Sequence, residues 1–437
     1  MAKKNSHIRG EINSRNMSVF QIQTVFICTL INMLDGFDVL VMSFAAASVS
    51  SEWTLSPYQL GILLSAGLFG MAIGSISLGA LADRLGRKRL VNICLVIISA
   101  GMFASAYSEN QEQLLAFRFV TGIGIGGMLA TLTTLVSEYS NESSRGLCIG
   151  FLQSGYPLGA LLGGIVSVYL IDSFGWRSLF IFGGSLSLIM LPFVFWKLPE
   201  SLDFLLLRGN QADKSKIQQI LTELQIETSE FLDTTEDSEK KADWISLFSS
   251  DSRANTLYLW TCYFLLMFSF YFVVSWTPKL LVDAGLTTGQ GISAGVYLQA
   301  GGLVGAISLG LLGYKFKVPI LTSVFFCCGV AAMLFYGLVE LSLVSLMLVA
   351  AVMGFFLIGA MIGLYTIAPS VYPANVRVSG VGLAIGIGRL GAIVAPLAGG
   401  IILNSGYSTD EIFVIFSIPL ILAAVAVYKI KLRPVFE

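Results

Sequence analysis

Histidine is almost absent from the sequence, and charged residues are scarce. The single histidine, His7, lies in the polar amino-terminal segment, so proton relay within the apolar segments is left to carboxylates. The net charge of -1 and the pI near 6.0 give no basic field of the kind that binds nucleic acid. We therefore expect no nucleic-acid partner.

Cysteine is present but lacks an ordered spacing. The six cysteines are scattered through apolar segments, without the pattern of a metal site or of a disulfide framework. The sequence also shows no nucleophile constellation and no phosphate-binding loop. We expect no cofactor, no metal and no enzymatic activity. The segment from Met1 to Met17 is polar, and no cleavable signal peptide is predicted.

Apolar residues are abundant. Hydrophobic residues make up 55% of the 437 and charged residues only 12%, which is more apolar than a water-soluble domain can bury. A helix that crosses the bilayer core needs about 20 apolar residues. The apolar runs predict twelve such helices, near residues 20–49, 58–82, 90–107, 112–138, 145–172, 177–197, 256–279, 290–314, 318–338, 342–370, 377–404 and 411–429.

A polar segment separates the spans into two groups of six. We interpret residues 198–255 as a solvated, partly helical cytoplasmic linker, with helical patterns in 213–223 and 227–241. The predicted fold class is an all-α membrane protein with two pseudo-symmetric six-helix bundles. The predicted boundaries are a tail at 1–19, bundles at 20–197 and 256–429, and a tail at 430–437.

Lysine and arginine placement predicts the orientation. The segments assigned to the inner side hold 22 of the 26 Lys and Arg residues, and the outer loops hold only Arg177 and Lys279. We therefore expect a multi-pass inner-membrane protein with both termini in the cytoplasm.

The two halves echo each other at an offset of about 232 residues. The matching pairs are Gly122 with Gly354, Gly127 with Gly359, Arg145 with Arg377, Gly150 with Gly382, and Gly159 with Gly391. Five matches at one offset indicate an internal duplication. Two similar halves predict a substrate site between them and alternating access by rocking.

The most specific motif lies between the second and third spans and reads Gly79-Ala-Leu-Ala-Asp83-Arg84-Leu-Gly86-Arg87-Lys88-Arg89. It closely resembles the corresponding loop of the major facilitator superfamily, which implies that fold. Gly79 is expected to permit close helix approach and Gly86 to turn the chain. A basic turn that only fixes orientation is the alternative, although it does not explain the Gly and Asp positions.

Charged residues at the inner ends of other spans extend this motif. We expect Glu138, Arg145 and Arg377 to join Asp83 in a charge network that closes an inner gate, and snorkelling surface charges are the alternative. The residues assigned to gating are Gly79, Asp83, Arg84, Gly86, Arg87, Glu138, Arg145 and Arg377. The corresponding second-half turn, 310–317, lacks the Asp-Arg pair.

Three polar residues share one face of the first span: Asn32, Asp35 and Asp38. An ionised carboxylate at bilayer depth costs about 2.5–3.5 kcal/mol unless it is paired or hydrated. The stretch from Asp35 to Asp38 resembles the first-span element of the aromatic acid:proton symporter family, which implies proton coupling through the two aspartates. The alternatives are an ion pair between Asp35 and Arg118, and an exposed Asp38 at the outer mouth.

Two arginines and two aromatic residues are candidate substrate ligands together with Asn32. The guanidinium groups of Arg118 and Arg389 fit a carboxylate in two places, and Arg389 is preferred because Arg118 is a candidate partner of Asp35. Arg389 pairing only with a carboxylate of the other half is the alternative. In the aromatic seventh span, Tyr271 and Trp276 are candidates to stack on a ring, although most of its rings are expected to pack against helices and lipid.

The resemblance implies a proton-coupled symporter that imports a small organic acid anion by alternating access. The expected substrate is an aromatic acid of the benzoate or hydroxybenzoate class, or a ring-cleavage product such as cis,cis-muconate, and the carrier is expected to be a monomer. One alternative is a proton antiporter that exports drugs or metabolites, which the glycines of the fifth span at 155, 159, 163 and 164 support. A membrane sensor that does not transport is an alternative of another class.

Overall fold

The computed structural model describes residues 10–208, 211–224, 226, 250–372 and 377–430, and the regular elements in these ranges are helices without strands. Twelve of the helices are long and apolar enough to cross a membrane. The fourteen helices are α1 Val19–Glu52, α2 Pro57–Leu85, α3 Arg87–Ala106, α4 Gln111–Tyr139, α5 Arg145–Phe174, α6 Arg177–Lys197, α7 Leu202–Arg208, α8 Gln211–Glu223, α9 Ser250–Asp283, α10 Thr288–Leu312, α11 Val318–Leu338, α12 Leu343–Val371, α13 Arg377–Asn404 and α14 Thr409–Tyr428.

The twelve predicted spans correspond to α1–α6, which form the N half, and to α9–α14, which form the C half. The largest difference is in the seventh span, which was expected at 256–279 and is observed as Ser250–Asp283. The side on which Val19 and Tyr428 lie is called the terminal side, and the opposite side is the far side.

Capping residues explain several helix starts. Ser18, Ser56, Thr287 and Ser408 each accept a hydrogen bond from a backbone N–H at the third helical position, and the residue there bonds back to the cap. This capping box satisfies donors that the helix itself leaves unpaired. Ser56 and Thr287 begin α2 and α10, the second helix of each half, so the duplication extends to the caps.

Equivalent glycines make equivalent helix contacts in the two halves. A Cβ atom at Gly122 would collide with the backbone of α2, and one at Gly354 would collide with the backbone of α10. Gly159 lies in the same way against α1, and Gly391 against α9. Helices pair in the same order in each half, which supports duplication of one six-helix unit.

The two halves meet mainly through α2 with α13 and α5 with α10. On the far side these helices touch: a Cβ atom at Gly61 would lie 2.8 Å from the Pro396 carbonyl oxygen, and one at Gly164 would lie 2.5 Å from Val296. Ser65 also donates a hydrogen bond of 2.9 Å to the Ile393 carbonyl. The far side is therefore closed.

The same helices are apart on the terminal side. Gly79 lies 18 residues, or five turns, from Gly61 and so shares its helix face, yet a Cβ atom there would meet nothing within 4 Å. Gly146 and Gly382 face open space in the same way. The close approach predicted for Gly79 is therefore not made in this structure, because closure of the far side separates the terminal ends.

The linker differs in part from its predicted character. The helical pattern at 213–223 corresponds to α8, but this helix is not fully solvated, since Ile217, Ile220 and Leu221 are buried. Such burial of one apolar stripe is typical of an amphipathic helix that lies against a larger body. The helical pattern predicted at 227–241 falls outside the described residues.

Candidate functional site

Two carboxylates are buried one helical turn apart in the middle of α1. Asp35 is 3% exposed and Asp38 is 1% exposed. Within the described part of the chain, none of their four carboxylate oxygens has a hydrogen-bond partner. Asp38 is therefore buried in this structure and is not exposed at an outer mouth. A pair of unsatisfied buried carboxylates is costly when ionised, and protonation removes that cost.

Arg118 of α4 contacts Asp38 rather than Asp35. Its guanidinium donates a hydrogen bond of 2.6 Å to the Asp38 backbone carbonyl and one of 3.0 Å to the sulfur of Met102, and it lies 5.7 Å from the ring centroid of Phe180. Asp38 is also its electrostatic partner. No ion pair within 4 Å joins Arg118 to either aspartate in the described structure. The Asp35–Arg118 pair considered from the sequence is not formed.

A second polar cluster lies between the two halves and is called the phenol–arginine cluster, defined as Tyr156, Tyr271, Tyr365 and Arg389. The side chains of Tyr156 in α5, in the N half, and Tyr271 in α9, in the C half, interact electrostatically. Arg389 interacts electrostatically with Tyr271 and Tyr365. All four side chains are partly exposed although they lie inside the bundle, so they line a cleft between the halves.

Arg389 has no acidic partner in this cleft. No carboxylate of the described residues lies within 4 Å of its guanidinium, which contrasts with Arg87 and Arg177, each of which has one. The pairing with a carboxylate of the other half that was considered from the sequence is not observed. A cation in a partly buried cleft without a counter-ion is suited to hold an anionic ligand.

The two remaining candidate ligands are engaged in helix packing. Asn32 is fully buried, and its side-chain amide donates a hydrogen bond of 2.7 Å to the Leu152 carbonyl of α5. Trp276 is 2% exposed, and its indole N–H donates a hydrogen bond of 3.0 Å to the Pro396 carbonyl of α13. The structure therefore brings Tyr271 and Arg389 together and leaves Asn32 and Trp276 with structural partners.

On the far side, a serine of the N half donates a hydrogen bond to a backbone carbonyl of the C half that has no donor within its own helix. Pro278 of α9 has no N–H, so the carbonyl of Val274, four residues earlier, lacks its helical donor. The Ser43 hydroxyl of α1 lies 2.7 Å from this oxygen and 3.0 Å from the Ser275 carbonyl oxygen. The hydrogen bond satisfies the freed carbonyl only while the halves are in contact here.

The turn between α2 and α3 is held by Glu200, which follows α6. The Glu200 carboxylate accepts hydrogen bonds from the backbone N–H of Lys88 at 3.0 Å and of Ser201 at 2.9 Å. Its backbone carbonyl accepts a 2.6 Å bond from the Tyr139 hydroxyl at the end of α4. Gly86 turns the chain beside it with φ of 97°, as expected for a position that favours glycine. A carboxylate at the N-terminus of α3 also meets the positive end of the helix dipole.

Only some of the residues predicted to form the gate lie close to each other in this structure. Arg87 and Glu138 lie 3.9 Å apart at the terminal ends of α3 and α4. Arg84 is exposed, and the Nε atom of Arg145 is buried without a hydrogen-bond partner in the described structure. The side chains of Asp83 and Arg377 lie outside the described residues.

Sequence reasoning missed three residues of these sites. Tyr156 lies within the glycine-rich stretch of α5, where only the glycines had been interpreted, and Tyr365 is one ring among many in the C half. Glu200 lies at the start of the segment interpreted as a linker and was given no role of its own. The available signal for Tyr156 was a polar aromatic residue beside Pro157 in an otherwise small-residue helix face.

Comparison with known proteins identifies the family. The model of the Major Facilitator Superfamily matches residues 25–396. The chain is 35% identical to the gallate transporter of Pseudomonas putida over 423 residues, covering 96% of this chain and 94% of that protein. It is 33% identical to the 4-hydroxybenzoate transporter PcaK of Pseudomonas aeruginosa over 428 residues, with coverage of 96% and 94%.

The fold comparison agrees. The inward-open structure of the xylose transporter XylE from E. coli superposes with a TM-score of 0.74 at 16% identity, covering 95% of this chain and 98% of that chain. Because its helices, its duplicated halves and its relatives all agree, the chain belongs to the Major Facilitator Superfamily and is a multi-pass membrane transporter, not an enzyme.

Proposed function

We propose that the protein imports an aromatic acid anion together with protons across the inner membrane. The observation that carries the proposal is the placement of Arg389 in the cleft between the halves without an acidic partner among the described residues. The buried carboxylates of Asp35 and Asp38, which have no hydrogen-bond partner in the same part of the chain, lie in the N half. The names of the gallate and 4-hydroxybenzoate transporters support an aromatic acid as the substrate class.

The anion is held by Arg389. Its planar guanidinium forms two parallel hydrogen bonds to a carboxylate, and the neighbouring hydroxyl groups of Tyr271 and Tyr365 add polar contacts beside an aromatic surface. Hydrogen bonds to charged groups are worth about 1.5–3 kcal/mol each. We expect Arg389→Gln to weaken substrate binding at least tenfold and Arg389→Lys to do so less, because lysine keeps the charge but loses the fork.

The proton is carried by Asp35, with Asp38 as its neighbour. When the cleft faces outward, water and protons reach α1, and protonation removes the cost of a buried carboxylate. Rocking of the protonated, loaded carrier is then easier than rocking of the ionised one, which couples the two fluxes. The electrostatic interaction between Asp35 and Tyr156 connects the proton site to the phenol–arginine cluster.

The terminal side is the cytoplasmic side in this proposal. The excess of Lys and Arg in the terminal-side segments supports this orientation. The structure then corresponds to a carrier open to the cytoplasm. When the far side opens, Asp83 with Arg84, Arg87, Glu138, Arg145 and Arg377 is expected to close the terminal side, with Gly79 and Gly86 allowing the approach.

The experiment is uptake of labelled 4-hydroxybenzoate and gallate into cells that lack aromatic-acid carriers. We expect accumulation that a protonophore abolishes. Inverted vesicles with an imposed pH gradient give the direction, and export driven by proton entry would instead show an antiporter.

Asp35→Asn separates coupling from binding. We expect this variant to lose accumulation and its response to pH but to retain exchange of labelled for unlabelled substrate, because exchange needs no net proton transfer. Asp410→Asn, which removes an exposed carboxylate at the start of α14, is the matched control. Normal uphill uptake by Asp35→Asn would remove Asp35 from the mechanism.

A further inference from the structure

The charged side chains inside the membrane-spanning helices balance one another. Beyond the first two and the last two turns of each span, the described helices contain four charged residues: Asp35 and Asp38 of α1, Arg118 of α4 and Arg389 of α13. Arginine keeps its charge in proteins, and both aspartates are negative when they are ionised. The interior of the empty, ionised carrier is therefore neutral as a whole.

The two halves carry opposite shares of this charge. Asp35, Asp38 and Arg118 are all buried in the N half, and the Arg118 guanidinium lies 2.6 Å from the Asp38 carbonyl oxygen. Together these three residues have a net charge of one negative unit. At the same depth of the described C half, Arg389 supplies one positive unit. One proton therefore neutralises the N half, and one carboxylate neutralises the C half.

The side chains that face the two aspartates from other helices add no further charge. Cys94 of α3 and Tyr156 of α5 interact electrostatically with Asp35, and a thiol and a phenol are both neutral near pH 7. Asp38 faces Gly183 of α6, where an added Cβ atom would lie 2.9 Å from a carboxylate oxygen. The proton that neutralises the N half is therefore carried by one of the two aspartates.

The contacts of α13 place Arg389 where the cleft between the halves begins. Gly382 lies seven residues before Arg389 and Gly400 eleven residues after it, so all three share one face of the helix. On the far side this face touches α2, because a Cβ atom at Gly61 would lie 3.2 Å from the Gly400 Cα atom. On the terminal side the face is open, since no atom of the described structure lies within 4 Å of a Cβ atom at Gly382. A substrate anion in the cleft can therefore reach Arg389.

We propose that the carrier takes up one proton with each monocarboxylate anion and that its transport cycle moves no net charge across the membrane. This inference rests on the proposed function, in which Arg389 holds the carboxylate and an aspartate of α1 carries the proton. The loaded carrier is then neutral in each half, and the empty carrier is neutral as a whole. Both forms that rock during the cycle therefore avoid a net charge inside the bilayer core.

The same balance explains why the proton and the anion move together. A carrier that holds only the proton has a net positive charge, and a carrier that holds only the anion has a net negative charge. A net charge at bilayer depth is costly enough to slow the rocking movement by about 100-fold. The alternative is a cycle with two protons for each anion, which gives the loaded carrier a positive charge and makes uptake respond to the membrane potential.

The test measures uptake of labelled 4-hydroxybenzoate into proteoliposomes in which the pH gradient and the membrane potential are imposed separately. An acidic exterior should drive uptake, and an inside-negative potential set by potassium and valinomycin should neither drive uptake alone nor change it at a fixed pH gradient. Two protons for each anion would instead raise accumulation about tenfold for each 59 mV. Liposomes without protein measure the passive entry of the neutral acid, which is subtracted.

The variant Asp35→Asn tests the charge balance independently. Its loaded form is neutral without a proton, but its empty form has a net positive charge. We expect exchange of labelled for unlabelled substrate to need no pH gradient, and net uptake, which requires return of the empty carrier, to fall about 100-fold relative to exchange. Asp410→Asn, at an exposed position of α14, is the matched control and should keep the wild-type ratio of exchange to uptake.

The outcomes separate the two proposals. Greater uptake under an inside-negative potential at a fixed pH gradient, or a wild-type ratio of exchange to uptake in Asp35→Asn, refutes the neutral one-proton cycle and leaves proton symport intact. Uptake that ignores the pH gradient, or no uptake of 4-hydroxybenzoate or gallate, refutes the proposed function and this inference with it. The measurements on the wild type need no variant, so the inference is tested even if Asp35→Asn fails to reach the membrane.

Discussion

Removing the Ser43 hydroxyl should shift the carrier toward its far-open state. In the far-closed structure this hydroxyl lies 2.7 Å from the Val274 carbonyl oxygen, which Pro278 has left without a helical donor. Ser43 is 3% exposed, so water cannot replace it there while the far side is closed. In Ser43→Ala the carbonyl remains buried and unsatisfied, and opening of the far side relieves this by admitting water.

The size of the shift in the equilibrium between the far-closed and far-open states follows from the free-energy cost of a buried polar group without a hydrogen-bond partner. Leaving one buried acceptor unsatisfied costs about 1–3 kcal/mol, and the cost falls only on the far-closed state. A change of that size shifts a two-state equilibrium by roughly 5- to 150-fold. Ser43→Ala is therefore expected to turn a mainly far-closed population into one in which the far-open state is readily detected.

The assay is a distance distribution between spin labels at positions 109 and 410, on the far side of the N half and of the C half. Opening of the far side lengthens this distance. The matched control is Ser77→Ala, which removes only a hydroxyl that bonds within its own helix to Ile73 and should leave the distribution unchanged.

A second substitution tests the assigned cause. Pro278→Ala restores a backbone N–H to α9 and gives the Val274 carbonyl its helical donor. The double variant should show a smaller shift than the sum of the single variants, because the two substitutions act on one carbonyl. An unchanged distance distribution in Ser43→Ala, or strict additivity in the double variant, would contradict the reasoning.

Three further substitutions test the packing that supports the site, each by thermal unfolding of the purified protein in detergent. Glu200→Gln weakens two charge-assisted hydrogen bonds, and we expect a loss of roughly 1 kcal/mol, with Glu109→Gln on the exposed far surface as control. Gly159→Val places side-chain atoms where the neighbouring helix backbone lies and should cost at least about 1–3 kcal/mol, whereas Gly146→Val points into open space and should leave stability unchanged. Trp276→Phe removes one interhelical hydrogen bond, which should cost about 1 kcal/mol, and an unchanged midpoint would show that this bond adds no stability.

The sequence determined the helices because the bilayer leaves few alternatives. A backbone in hydrocarbon must satisfy its own hydrogen bonds, so long apolar runs become spanning helices whatever surrounds them. For this reason the predicted spans match α1–α6 and α9–α14. The turn at Gly86 and the duplication, with its matching glycines at 122 and 159, were also visible, because each depends on residue type and spacing.

The candidate site could be predicted only in part. Burial of Asp35 and Asp38 follows from their place in an apolar span, and Arg389 stood out as the charge in the middle of its span. The sequence could not show that Arg118 bonds to the Asp38 carbonyl, since the two residues lie on different helices and their contact depends on how those helices rotate against each other.

Only the tertiary structure decided which groups meet between the halves. Tyr156 and Tyr271 come from helices far apart in sequence, and the Ser43 hydroxyl finds the Val274 carbonyl only because the far side is closed. Hydropathy and motifs fix each helix separately, whereas contacts between helices depend on the relative placement of two rigid bundles. In the proposed mechanism that placement changes during transport, so one sequence supports more than one set of contacts between the same helices.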